Sequence, residues 1–225
     1  MIEIENLVPD PLFAAGVVVA EGVAVAPSSS ALEQLINELT QRRAAEDFPL
    51  AADKEAVRKL LKRGGFKPSG RNKPASEYLA QAARESRFPH INNLVDINNL
   101  LSLEIGLPIS LLDLRAFAGR AWLRYARAGE KYVFNATGQE IDLEGLICVC
   151  GASGEPDGGP LGNAVKDSMA GKLKADTVSV LGVIYADAAC PAGRSLEAHT
   201  ERFAQLLKEF GGASAARAFV VKAKD

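Results

Sequence analysis

The sequence predicts an α+β fold, with a helix-rich first half at residues 1–119 and a strand-rich second half at residues 120–225. Apolar residues recur at helical spacing in segments between residues 30 and 105, whereas apolar and polar residues alternate in segments after residue 120. Helices that precede most of the strands favour segregated layers. The 225 residues, of which 48% are hydrophobic, fit one large domain or two small intertwined ones. We expect a single domain over residues 1–225.

The helices follow a short β-prone region at the start of the chain. Residues 17–20 and 23–26 are β-prone, and Glu21-Gly22 between them is a turn signal. Three helices are then predicted at residues 30–46, 51–63 and 74–86.

A fourth predicted helix, Ile91–Ile105, is rich in asparagine and aspartate for a helix with so many leucines. Its apolar stripe includes Asn98, and a buried amide without partners costs about 1–3 kcal/mol, so Asn98 should be hydrogen-bonded. Asn92, Asp96 and Asn99 form a polar line beside the stripe. Such a helix can form the wall of a pocket. The alternative is that these groups bond to neighbouring loops and helix caps.

The chain beyond this helix is predicted to turn and then to form strands. Gly106-Leu107-Pro108 is a helix stop, which places Ser110 and Asp113 near the helix end. A turn and short helix are expected up to residue 119, and a glycine-rich loop at residues 151–163. Strands are predicted at residues 121–127, 131–135, 143–150, 178–186 and 216–222, with an amphipathic helix at residues 195–210.

Basic residues are concentrated in one segment. Residues 54–73 contain eight lysines and arginines and one acid, whereas the rest of the chain carries 18 basic and 27 acidic residues. Such asymmetry favours a surface that binds a polyanion, and the alternative is a solvated helix face. The candidate RNA-binding residues are Arg58, Lys62, Arg63, Lys67, Arg71 and Lys73.

The sequence does not indicate a metal or cofactor site. Cys148 and Cys150 lie on one face of a predicted strand without a second ligand pair, and neither histidine has metal-ligand spacing. No phosphate-binding glycine motif is present. There is also no apolar run long enough to span a membrane and no secretory signal. With an odd number of cysteines, this predicts a cytoplasmic protein with free thiols.

A second polar cluster, Lys166-Asp167-Ser168, precedes the apolar strand at residues 178–186. It contributes Asp167 and Ser168 as candidate pocket residues. The alternative is a turn with a capping aspartate and serine.

Residues Ile91 to Asp113, INNLVDINNLLSLEIGLPISLLD, closely resemble the core motif of the B3/B4 domain of the phenylalanyl-tRNA synthetase beta subunit. That motif reads roughly N-x-LVD-x-x-N, an apolar helix, G-x-P and a later aspartate. The resemblance extends over about residues 66 to 187. Further matches in the same order are RNKPASEYL at Arg71–Leu79, Leu123-Arg124 with Ala126 and Gly129-Glu130, and Lys166-Asp167-Ser168 with Thr177.

This resemblance implies a free-standing B3/B4 domain, in which mixed or antiparallel strands curl into a small barrel with flanking helices. In the synthetase the domain hydrolyses tyrosine wrongly esterified to the phenylalanine tRNA, using an oriented water and no cofactor. The implied pocket residues here are Asn98, Asn99, Ser110, Asp113, Asp96, Asp167 and Ser168.

Two departures from the family pattern argue against inherited tyrosine specificity. Ser110 replaces the bacterial histidine, and no carboxylate falls at Ile184-Tyr185, where the family places the acid that reads the tyrosine hydroxyl. Three functions therefore stay open: a hydrolase of mischarged aminoacyl-tRNA, a non-catalytic tRNA-binding module, and an amino-acid-binding protein with a vestigial pocket. The expected partner in the first two is tRNA.

Overall fold

A computed structural model describes residues 2–151 and 157–223. It has an α+β fold with parallel and antiparallel strand pairs. The helices are α1 (Ser30–Ala45), α2 (Ala51–Arg63), α3 (Ala75–Arg84), α4 (Asn93–Ile105), α5 (Pro191–Arg194) and α6 (Leu196–Phe210). The strands are β1 (Glu3–Asn6), β2 (Phe13–Glu21), β3 (Ile109–Asp113), β4 (Arg120–Tyr125), β5 (Lys131–Val133), β6 (Glu140–Asp142), β7 (Ile147–Gly151), β8 (Gly159–Asn163), β9 (Ser179–Asp187) and β10 (Ala215–Lys222).

The strands form two four-stranded sheets and a hairpin. The first sheet has the order β1-β4-β7-β8, and the second has the order β10-β2-β9-β3. Strand β1 runs parallel to β4, and the other pairs, including the β5–β6 hairpin, are antiparallel.

Strands β2, β9 and β3 of the second sheet are buried on both faces and separate two cores. Val17 and Val183, on β2 and β9, pack in one core with residues of β4 and β7. Val18 and Ile184 face the opposite side and pack in a second core with helices α1, α4 and α6. Alternate side chains of one strand point to opposite faces, so each central strand contributes to both cores. The molecule is thus layered as sheet, sheet and helices.

The expected barrel is wrong, because neither sheet closes in the described part of the chain. Strands β1 and β8 remain the edges of the first sheet, and β10 and β3 remain the edges of the second. The physical reason is the layered packing: the second sheet needs one face for the first sheet and the other for the helices. An open sheet provides two broad faces of this kind.

Strand β3 positions the site described below. It is the edge of the second sheet, where Ser110 pairs with Val183 of β9 and Asp113 pairs with Val180. The sequence predicts a turn and short helix up to residue 119. Residues Ile109–Asp113 instead form β3, whose five residues are all buried, and the short helix is present as a 3-10 turn at Leu114–Phe117. In the described residues, none of the helices is long and apolar enough to cross a membrane.

Candidate functional site

A groove of about 740 Å³ lies between α3, α4, β3 and the segment after β8. A second cavity of about 300 Å³ shares Asn98, Asn99 and Asp167 with it and extends to Asn163 and Leu111. The groove is lined by Gly70, Arg71, Lys73, Ala75, Tyr78, Leu79, Gln81, Arg87, Pro89, Ile91, Val95, Asn98, Asn99, Ser102, Ile109, Phe134, Val165, Lys166, Asp167 and Lys172.

Three polar residues at the start of α4 fix the helix that forms the groove wall. Asn92 is the N-cap, and its side chain accepts a hydrogen bond of 3.0 Å from the backbone N–H of Val95. Asn93 accepts from Ala26 N–H and donates to two backbone carbonyl groups. Asp96 accepts from the Ser28 hydroxyl at 2.7 Å and from the backbone N–H of Ile91 at 2.9 Å. These contacts anchor the helix, and Asp96 does not line the groove.

Asn98 and Asn99 face the groove itself. In the described part of the chain, Asn98 Oδ1 is buried without a hydrogen-bond partner. Asn98 Nδ2 lies 3.5 Å from Asn99 Oδ1, which is long for a hydrogen bond. The sequence predicts that the Asn98 amide is hydrogen-bonded, but among the described residues its carbonyl oxygen has no partner. A buried acceptor of this kind is suited to a ligand that brings a donor. Ile91, the first residue of the predicted helix, lies before α4 begins at Asn93, and it is 65% exposed at the groove.

Asp167 lines the groove opposite α4 and is hydrogen-bonded to Ser110. The Ser110 hydroxyl lies 2.6 Å from Asp167 Oδ1, 3.0 Å from the Tyr185 hydroxyl and 3.2 Å from the Asn163 carbonyl oxygen. The backbone N–H groups of Asn163 and Leu111 also point at the carboxylate, at 3.3 and 3.4 Å. Ser110 and Tyr185 are fully buried and lie behind the groove wall.

The pKa of Asp167 is raised to about 7, because burial penalises the charged form more than the hydrogen bonds from Ser110, Asn163 and Leu111 favour it. The Lys172 ammonium also acts to lower this pKa. A carboxyl group that titrates near neutrality can accept and return a proton at physiological pH. Burial in the same region raises the pKa of the Tyr185 hydroxyl, which stays protonated.

Basic side chains surround the groove, with Asp167 as the acidic residue among those that line it. Lys166 lies over the Phe134 ring at 4.2 Å, and Lys172 donates to the Phe134 carbonyl oxygen at 3.0 Å. A cluster of cations of this kind is suited to a polyanion. The five cationic residues are Arg71, Lys73, Arg87, Lys166 and Lys172.

Two further candidate pocket residues lie outside the groove lining. Ser168 is buried, and its hydroxyl accepts a hydrogen bond of 3.0 Å from Gly171 N–H. Asp113 accepts from the Thr177 hydroxyl at 2.6 Å and from the Arg115 guanidinium. Burial acts to raise the pKa of Asp113, but the hydrogen bonds from Arg115 and Thr177 lower it to about 2. Both residues stabilise the segments that follow β3 and β8.

The candidate RNA-binding residues fall into three groups. Arg58 and Arg63 are in ion pairs, at 2.6 Å with Glu77 and at 2.7 Å with Asp10, and Arg63 also contacts Asp187. Lys62 and Lys67 are exposed and line a separate cleft of about 460 Å³. Arg71 and Lys73 line the groove.

The basic segment of the sequence does not account for all of the cations at the groove, nor for the hydroxyl group that supports Ser110. Arg87, Lys166 and Lys172 belong to the basic rim but lie outside the basic segment at residues 54–73. Tyr185 is part of an apolar strand, and the sequence does not predict the contact of its hydroxyl group with Ser110. Only the tertiary structure brings these groups together. Among the described residues there is no group of three or more His, Cys, Asp or Glu side chains that could hold a metal ion.

The comparisons with known proteins identify a family. The B3/4 domain pattern matches residues 59–185, which is more than half of the chain. Among solved structures, the fold is similar to an N-terminal fragment of the phenylalanyl-tRNA synthetase beta subunit from Pyrococcus horikoshii. The sequences are 10% identical and the TM-score is 0.46; the alignment covers 100% of this chain and 55% of the fragment. No curated protein sequence matches this chain.

Proposed function

The chain belongs to the B3/4 domain family, and from this premise we propose that its groove binds the aminoacyl end of tRNA and hydrolyses the ester of a mischarged amino acid. The observation that carries the proposal is the position of Asp167, a carboxyl group with a pKa near 7 opposite two asparagines in a cation-lined groove.

Asp167 would act as the general base on a water molecule. As the water oxygen bonds to the ester carbonyl carbon, one of its protons passes to the Asp167 carboxylate. The carbonyl oxygen becomes negatively charged, and the side-chain amide of Asn99, which lines the groove on α4, would donate a hydrogen bond to it. The bond from carbon to the ribose oxygen then breaks. The ribose oxygen takes the proton from Asp167, which leaves a free amino acid, an uncharged tRNA and the original carboxylate.

Ser110 would position this base. Its hydroxyl donates to Asp167 Oδ1, and the Tyr185 hydroxyl donates to Ser110 in turn, so the carboxylate is held at a fixed orientation. Asn98 Oδ1, which has no partner in the described residues, offers an acceptor to the ammonium group of the amino acid. An aminoacyl ester is already activated, so orientation, a base and oxyanion donors suffice for hydrolysis.

The direct test is a deacylation assay with purified protein and a panel of correctly and incorrectly charged tRNAs. We expect at least one mischarged tRNA to lose its amino acid about 100-fold faster than in buffer, which is the low end of general-base catalysis. Asp167→Asn should remove most of this acceleration. If no member of the panel is hydrolysed faster than in buffer, the enzymatic proposal fails.

The five cationic residues that line the groove also support a second candidate function, a tRNA-binding module without catalysis. This function predicts salt-sensitive binding of tRNA together with no deacylation of any charged tRNA. An amino-acid-binding protein would instead show thermal stabilisation by a free amino acid and no affinity for tRNA. Filter binding and thermal shift, run beside the deacylation panel, separate the three.

A further inference from the structure

We propose that Tyr78, at the mouth of the groove, is a stacking platform for the 3′-terminal base of the RNA. This inference rests on the proposed function, because it deepens the description of the same site. It assigns the outer part of the groove to a nucleobase and leaves the inner part, at Asn98 and Asp167, to the aminoacyl group.

The Tyr78 ring is placed to meet a ligand. Tyr78 lies in the first turn of α3, is 43% exposed, and lines the groove. A tyrosine combines an apolar ring with a polar hydroxyl group and is enriched at binding interfaces, so its place in the lining of the groove suits a contact with a ligand. Ile91, 65% exposed, and Pro89 lie along the same groove and extend its apolar surface.

Cations accompany the ring. The Lys73 ammonium lies 5.9 Å from the Tyr78 ring centroid, and the Arg87 guanidinium carbon lies 5.6 Å from it. Lys73 also bonds to Gln81, and Arg87 bonds to Glu85, so both are held near the ring by exposed or half-buried partners. Aromatic rings and cations together bind single-stranded nucleic acid, the ring stacking on a base and the cations contacting phosphates. Both cations lie over the Tyr78 ring, so a stacked base would take the place of one of them there and that side chain would turn toward a phosphate.

The chemistry of an aminoacyl end fits the two parts of the groove. The amino acid is esterified to the ribose of the terminal nucleotide, so base and amino acid must enter the same cavity. Tyr78 and Asp167 both line the groove of about 740 Å³, the first on α3 and the second after β8. A base on Tyr78 would therefore help to direct the ester toward Asp167.

The test compares a tRNA that has its complete 3′ end with the same tRNA lacking the terminal adenosine. Fluorescence anisotropy should give about tenfold tighter binding of the complete tRNA by the parent protein, in keeping with one stacked base. Tyr78→Ala should bind both tRNAs equally, and Tyr78→Phe should keep the preference. Val178→Ala, at a residue that is 59% exposed and does not line the groove, is the control and should keep it too.

The outcomes separate this inference from the proposed function. If Tyr78→Ala binds the complete tRNA as tightly as the parent and keeps its preference, the platform is refuted even where deacylation is observed. If Tyr78→Ala loses the preference but the parent deacylates nothing, the platform stands and the hydrolytic proposal fails. Absence of any tRNA binding by the parent overturns both. Thermal unfolding of each variant verifies that the exposed ring can be removed without loss of folding.

Discussion

The hydroxyl oxygen of Ser110 lies 2.6 Å from Oδ1 of Asp167, and this contact joins strand β3 to the segment that follows β8. It places a buried, uncharged donor on a carboxyl group whose pKa is about 7. Removing the carboxylate charge and changing the pH therefore test the same group in two ways.

Replacement of Asp167 should abolish catalysis with little effect on binding. Asp167→Asn keeps the size of the side chain and removes the group that accepts the proton, so we expect kcat for deacylation to fall about 100-fold or more. The KM should change far less. Asp47→Asn, at an exposed aspartate that does not line the groove, is the matched control and should retain full activity. An Asp167→Asn variant with parental kcat would remove the general base from the mechanism.

The deacylation rate above buffer should rise as the pH increases through about 7 and level off above it, since only ionised Asp167 accepts a proton. Measuring kcat/KM between about pH 5 and 9 gives this profile. Asp167→Asn should lose the transition.

A stability measurement checks the same pKa without activity. The folded pKa of Asp167 lies above its usual value of 3.8, so its contribution to the free energy of unfolding is greatest at low pH and is lost as the pH rises through about 7. The Tm of Asp167→Asn minus the Tm of the parent should therefore be larger at pH 8 than at pH 5. An equal Tm difference at both pH values would contradict the raised pKa.

Two asparagines of α4 should respond in opposite ways. Asn98→Ala removes a buried acceptor without a partner in the described residues, so the free energy of unfolding should not fall, while deacylation should slow about tenfold through the loss of one hydrogen bond to a charged group. Asn93→Ala removes contacts to Ala26, Ala24 and Phe210 and should destabilise the protein by about 2–3 kcal/mol. Chemical denaturation and deacylation per folded molecule distinguish the two. Loss of stability in Asn98→Ala would show that its carbonyl oxygen is satisfied.

Two arginines of the basic segment should differ in their roles, one in stability and the other in tRNA binding. Arg63→Gln breaks ion pairs with Asp10 and Asp187 and should lower the free energy of unfolding by about 1–2 kcal/mol, discounted because Arg63 is about a third exposed. The tRNA affinity of the folded protein should stay unchanged. Arg71→Gln, at the groove, should leave the Tm unchanged, weaken tRNA binding and reduce the slope of log K against log salt by about 1. The reverse pattern would assign the phosphate contact to Arg63.

Helices with a strong period are predictable from the sequence, and strands buried on both faces are not. The segment predicted as a helix over residues 51–63 has the same bounds as α2, because its apolar residues mark one face. The sequence predicts two short β-prone runs at residues 17–20 and 23–26, whereas the structure has one long strand, β2 (Phe13–Glu21), and no strand at the second run. Both of its faces are buried, so it shows no alternation, and the chain turns only at Gly22, where φ is 75°.

Groove residues that lie close together in the sequence are predictable from it. Contacts between segments that are distant in the sequence are not. The run of asparagines on α4 marks Asn98 and Asn99 as groove residues. Asp96 belongs to the same run, but its oxygens bond to Ser28 and Ile91, and this depends on where residues before α1 lie. The basic segment likewise does not reveal which arginines meet carboxylates from other parts of the chain.

The position of β2 has a consequence for how fast the protein folds. Val17 pairs with Val183 on one side and with Phe219 on the other, so a strand near the start of the chain lies between two strands near its end. Such contacts give a high contact order, and the loop-closure entropy is lost before the pairing is gained. We expect refolding from denaturant in milliseconds to seconds rather than microseconds. The wall of the groove depends on the pairing of β3 with β9, so the groove would form and become able to bind a ligand late in folding.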